Sequence, residues 1–185
     1  MKMKMNSVVK LGVLAAAICA ANVSYAAGSK EANVVISAKV VGSCTITATP
    51  VVFGDYDANS ATDNFNTGTI TLTCVKGSQP TVSLSQGLTP NGAQRRMVNA
   101  VTGDFLNYGL FKPFATNVAI DSPNNACLKT ETENWGVEPT SRLHPPIAPT
   151  ADPLTYNICG VIPKDQTTVS TGDYTDTVTA TIHFD

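Results

Sequence analysis

The residues of this sequence whose types could do chemistry are Cys44, Cys74, Cys127 and Cys159, His144 and His183, the acidic pair Asp55 and Asp57, and the basic pair Arg95-Arg96. Cysteines can bind metal, attack substrates or join in disulfides. A metal site needs ligands at short, fixed spacing, yet no C-x-x-C occurs and both histidines stand apart from the cysteines. Nucleophilic and phosphate chemistry have no signature either, because G-x-S-x-G, H-E-x-x-H, the P-loop and G-x-G-x-x-G are all missing. His144 falls among prolines and His183 on the polar face of a strand, so both read as surface residues. Gly54-Asp55-Tyr56-Asp57 reads as a turn, and Arg95-Arg96 as a solvated loop pair. The expectation is a chain with no catalytic, cofactor or metal site.

Disulfides remain, and the compartment decides whether they form. Lys2, Lys4 and Lys10 precede an apolar run from Leu11 to Val23, and Ser24-Tyr25-Ala26 offers small residues where a signal peptidase reads. Residues 1–26 are therefore expected to be an export signal. The run is shorter than the roughly 20 apolar residues a membrane span needs, so no stable membrane insertion is expected after cleavage. Cys19 would leave with the signal, and Ile18 before it argues against lipidation. Of 185 residues, 159 would remain after the first 26, and losing three lysines moves the formal charge from −2 to −5. Four cysteines in an oxidising compartment pair by default, with three connectivities open. Pairing within each half is the simplest: Cys44 with Cys74 and Cys127 with Cys159. With 12 basic against 14 acidic residues and no basic run, nucleic acid is not an expected partner.

The elements that must position these cysteines are strands. From Ala32 the even positions read Ala32, Val34, Ile36, Ala38 and Val40, one apolar face at period two. Further candidates are Cys44–Thr49, 68–74, 81–86, 104–112, Leu154–Ile162 and 174–184. In the last, Tyr174, Val178, Ala180, Ile182 and Phe184 share one face, while threonines and His183 share the other. No sustained helical period occurs, and turn residues punctuate the chain about every ten residues. This predicts one all-β domain, a two-sheet sandwich with Greek-key connections. Seven of the eleven prolines fall in residues 113–153, which are expected to be mainly loop.

Taken in order, Cys44-Thr45-Ile46, Phe53-Gly54-Asp55-Tyr56 and the block from Gly68 to Cys74 resemble the spore coat protein U domain family, which includes subunits of archaic chaperone-usher pili. Val82-Ser83-Leu84-Ser85 with Gly87, Arg95-Arg96-Met97, Leu106-Asn107-Tyr108, Trp135-Gly136, Gly160-Val161-Ile162-Pro163 and the closing block from Gly172 to Val178 extend the likeness over nearly the whole domain. The family's usual pattern has the first cysteine pair, so the second pairing is inferred from parity alone.

The resemblance implies an immunoglobulin-like β-sandwich that lacks one strand and is completed by donor-strand complementation. It implies residues 27–42 as a donor-strand extension, with Ala32, Val34, Ile36, Ala38 and Val40 as anchors, and residues 43–185 as the pilin domain. It further implies a periplasmic pilus chaperone, an outer-membrane usher and neighbouring pilin subunits as partners. The expected role is a structural subunit of a cell-surface fibre supporting adhesion and biofilm formation. The competing reading is a self-complete secreted coat protein or carbohydrate-binding module, with Tyr108, Phe111 and Trp135 as stacking residues, although core packing suits each of them better.

Overall fold

A computed structural model describes residues 28–113, 126–127, 133–148 and 150–184. The expected export signal lies outside the described residues. The chain divides into two units, up to Ala38 and from Lys39 onward. In the first, residues 28–38 form no strand and are exposed throughout. The apolar alternation at 32–40 reads as a strand, but a strand is held by its ladder, and here no ladder partner is present among the described residues.

Among its described residues the second unit contains seven strands: β1 (Cys44–Thr49), β2 (Asn64–Cys74), β3 (Thr81–Leu84), β4 (Arg95–Val98), β5 (Phe105–Phe111), β6 (Leu154–Ile162) and β7 (Ala180–His183). One sheet has the order β1-β2-β6-β5-β4, and β3 pairs with β7 in a second; all pairs are antiparallel. The alternation along β2 explains its two faces. Gly68, Ile70, Leu72 and Cys74 are buried, with Ile70 opposite Tyr156 and Leu72 opposite Leu154 on β6. The intervening threonines meet across strands on the other face, Thr71 with Thr155 at 2.8 Å and Thr49 with Thr69 at 2.9 Å. These β-branched residues suit the pleat and pair their hydroxyls as well.

The core lies between the sheets. Ile70, Leu72, Tyr156 and Ile158 face Val82 and Leu84, and Leu106, Tyr108 and Leu110 of β5 extend the layer. Trp135 is fully buried and its indole N–H donates to the Val82 carbonyl at 2.9 Å. Leu143 exchanges both backbone hydrogen bonds with Val82 at 2.9 Å each, so the proline-rich stretch covers the far side of β3. Its described residues are loop apart from one 3-10 turn at Pro139–Ser141. Cys44 and Cys74 are directly opposite in the β1–β2 register and joined by a disulfide; a second joins Cys127 to Cys159.

Three strands differ most from expectation, while β3 and β5 are each two residues shorter than expected. β2 begins four residues earlier, at Asn64, and β7 is confined to the end of its segment. β4 is a strand where a solvated loop pair was expected. Arg95 is only 4% exposed, with Nε donating to Ser85 O at 2.9 Å and Nη2 to Leu84 O at 3.2 Å and Trp135 O at 2.6 Å. Three carbonyls stand where water would be, which is how a guanidinium can be buried. Arg96 lies over the Phe105 ring, 3.9 Å from its centroid.

Candidate functional site

The site follows from two edges that have no ladder partner on one side. Among the described residues β1 pairs only with β2 and β7 only with β3, and the two edges approach one another at the side of the sandwich. From Tyr174 to Ile182 every even residue is half-buried and every odd one exposed. In β2 the corresponding inward residues are buried, so the face along β7 has the pattern of a core strand without the cover. Across from it, Ile46, Val51 and Phe53 are half-buried and packed on the core in the same way.

Between these edges runs a cleft of about 420 Å³. Val51 and Phe53 form one wall, Val178 and Ala180 the other, and Leu110 and Ile158 lie at its floor. The wall at 51–53 leaves the strand but is held in place. Asn66 donates through Nδ2 to Val52 O, and Asn64 through Nδ2 to Phe53 O at 3.3 Å and Asp55 O at 3.2 Å. Gly160 of β6 makes room for this wall, because a Cβ there would stand 2.6 Å from Val51 Cγ1 and 2.8 Å from Phe53 Cζ. Phe53 also meets the Tyr108 ring edge-on, with centroids 6.4 Å apart.

Asp176 is the polar feature of the cleft. Its Oδ2 accepts from the Tyr108 hydroxyl at 2.6 Å and its Oδ1 from Leu88 N at 2.8 Å and Thr177 N at 2.7 Å. Burial and then the Asp176 carboxylate raise the Tyr108 phenol well above its ordinary range. Burial lowers the Arg95 guanidinium, opposed by its electrostatic interaction with Tyr108 and Asp176. A hydroxyl that keeps its proton and donates it to a carboxylate anchors the middle of β5 to the segment leading into β7. The arrangement offers an apolar trough between two strand edges that have no ladder partner on that side among the described residues, which is the shape that takes an extended peptide.

Of the residues singled out from sequence, the four cysteines come together as two pairs. The five alternating apolar residues are not buried: Val34 is 82% exposed, Ile36 91% and Val40 82%, and Ala32 and Ala38 are exposed too. His144 is exposed, with Nε2 donating to Pro139 O at 2.9 Å. Asp55 and Asp57 border a shallow polar hollow, and among the described residues no group of three or more His, Cys, Asp or Glu is placed to hold a metal. Among those residues no helix is long and apolar enough to cross a membrane. No sequence pattern pairs Asp176 with Tyr108. They are 68 residues apart, and only the fold joins them.

Residues 30–181 match the family described as Spore Coat Protein U domain. The chain is 31% identical over 198 aligned residues to Protein U of Myxococcus xanthus, covering 97% of this chain and 100% of that one. It is also similar to a chain in the crystal structure of the CsuC–CsuE chaperone–tip adhesion subunit pre-assembly complex from archaic chaperone-usher Csu pili of Acinetobacter baumannii. There the TM-score is 0.54 at 24% identity, over 78% of this chain and 40% of that one. The likeness is one of fold, an immunoglobulin-like β-sandwich, and this chain spans less than half the length of that neighbour.

Proposed function

The chain belongs to the Spore Coat Protein U domain family, and on that premise we propose that it is a structural subunit, not an enzyme, of a surface fibre assembled by the chaperone-usher route. In this reading residues 27–42 of one copy are the donor extension, and residues 32–40 lie in the cleft of the next copy as the strand its sandwich lacks. The single observation that carries it is the pairing of an uncovered apolar cleft with an exposed apolar alternation in one sequence. Burying Val34, Ile36 and Val40 would contribute roughly 1.5 to 3 kcal/mol each, with ladder hydrogen bonds added.

The same cleft explains the partners. An open edge beside an uncovered apolar trough is a template for aggregation. A periplasmic chaperone covers it first, and an outer-membrane usher then exchanges the chaperone for the neighbouring subunit. The pilus neighbour in the fold comparison supports this route, and the destination is the cell surface, where the fibre supports adhesion and biofilm formation. The test compares the chain from residue 27 with the chain from residue 43. The longer form is expected to build heat-resistant multimers, and the shorter to be unstable until a peptide of residues 27–42 is supplied. Stable monomers from both would replace this reading with a self-complete coat protein.

A further inference from the structure

An alternating apolar strand has an ambiguous register. Because side chains repeat every two residues, it can slide by two and still present apolar groups to the same face. The even positions of the proposed donor run Lys30, Ala32, Val34, Ile36, Ala38, Val40, Gly42. The cleft breaks the ambiguity with its single charged lining residue, Asp176. That carboxylate is fixed by Leu88 N, Thr177 N and the Tyr108 hydroxyl. Gly87, at φ +87°, also leaves it room, since a Cβ there would overlap the carboxylate. Beyond Asp176 the same face continues with Val178, Ala180 and Ile182.

Resting on the reading above, we propose that Asp176 sets the register of the incoming strand: laid antiparallel to the 176–182 edge, Gly42 comes opposite Asp176. Val40, Ala38 and Ile36 then come opposite Val178, Ala180 and Ile182. Antiparallel pairing gives the more stable ladder. Gly42 brings no side chain onto a carboxylate that already has three donors. A slip of two residues one way sets Val40 on Asp176, removing water from a charge without replacing it. The opposite slip draws Cys44 into the ladder, but Cys44 is bound to Cys74 in its own domain.

The experiment uses multimers of the chain from residue 27 with both native disulfides intact. Ala38→Cys is combined in turn with Val178→Cys, Ala180→Cys or Ile182→Cys, and disulfides between copies are quantified by mass spectrometry after mild oxidation. The Ala180→Cys combination is expected to exceed the others by at least about tenfold. Adding Asp176→Val is expected to raise the Val178→Cys combination to a comparable yield. A second arm keeps the cleft intact. Gly42→Val is expected to lower multimer resistance to denaturant, while Lys30→Val leaves resistance and register unchanged. A different dominant combination, an unchanged single register in the Asp176→Val background, or equal effects of Gly42→Val and Lys30→Val would overturn the proposal while leaving strand donation intact. No cross-link between copies in any combination would overturn strand donation itself.

Discussion

Arg95 carries a permanent charge in a site that is 4% exposed, and it is satisfied by a set of carbonyls drawn from separate parts of the chain. One side chain thereby joins the end of β3, the Trp135 segment and β4, and stands behind the Tyr108–Asp176 pair. Replacing it with an apolar residue of similar length leaves those carbonyls buried without their donor. Arg95→Met is expected to lower stability by about 3 kcal/mol, measured as a lower urea midpoint at unchanged slope. Arg96→Met, which at a half-buried position gives up the stack on Phe105 and hydrogen bonds to the Thr89 and Pro90 carbonyls, is expected to cost about 1 kcal/mol. Equal costs for the two would mean that Arg95 is not the staple the geometry makes it.

At the scale of elements, the disulfide between Cys44 and Cys74 ties an edge strand to its only neighbour, with Val75 N donating to Ser43 O at 2.8 Å just beyond it. Its loop spans 30 residues. Removing it as Cys44→Ala with Cys74→Ala is expected to cost roughly 3 to 4 kcal/mol on the chain-entropy account. Chemical denaturation of the double variant measures this, and a cost below about 1 kcal/mol would contradict it. The strands most legible from residues were those whose pattern is purely local. Cys44–Thr49 and Leu154–Ile162 are bounded by turn residues, and their observed limits coincide with the pattern. β4 was hidden because a charge pair reads as solvent-facing, and the carbonyls that satisfy Arg95 lie 10, 11 and 40 residues away. The segment 174–184 alternates throughout, yet only its last part finds a continuous ladder on β3. Alternation reports which face is apolar, whereas a ladder also needs a neighbour. Of the cleft only the greasy last strand was legible, because the wall at Val51 and Phe53 and its meeting with that strand are tertiary facts. The role of Asp176 had no local signal at all.

For the whole molecule, strand donation requires that residues 32–41 find their ladder on a neighbouring copy. Hydrogen–deuterium exchange followed peptide by peptide tests this most directly, since it reports backbone hydrogen bonds in monomer and multimer separately. With donation between copies, amides of residues 32–41 are expected to exchange freely in the isolated monomer and become protected in the multimer, together with those of 176–182 at the cleft's rim. Protection of residues 32–41 already in the monomer, or their free exchange in the multimer, would contradict it.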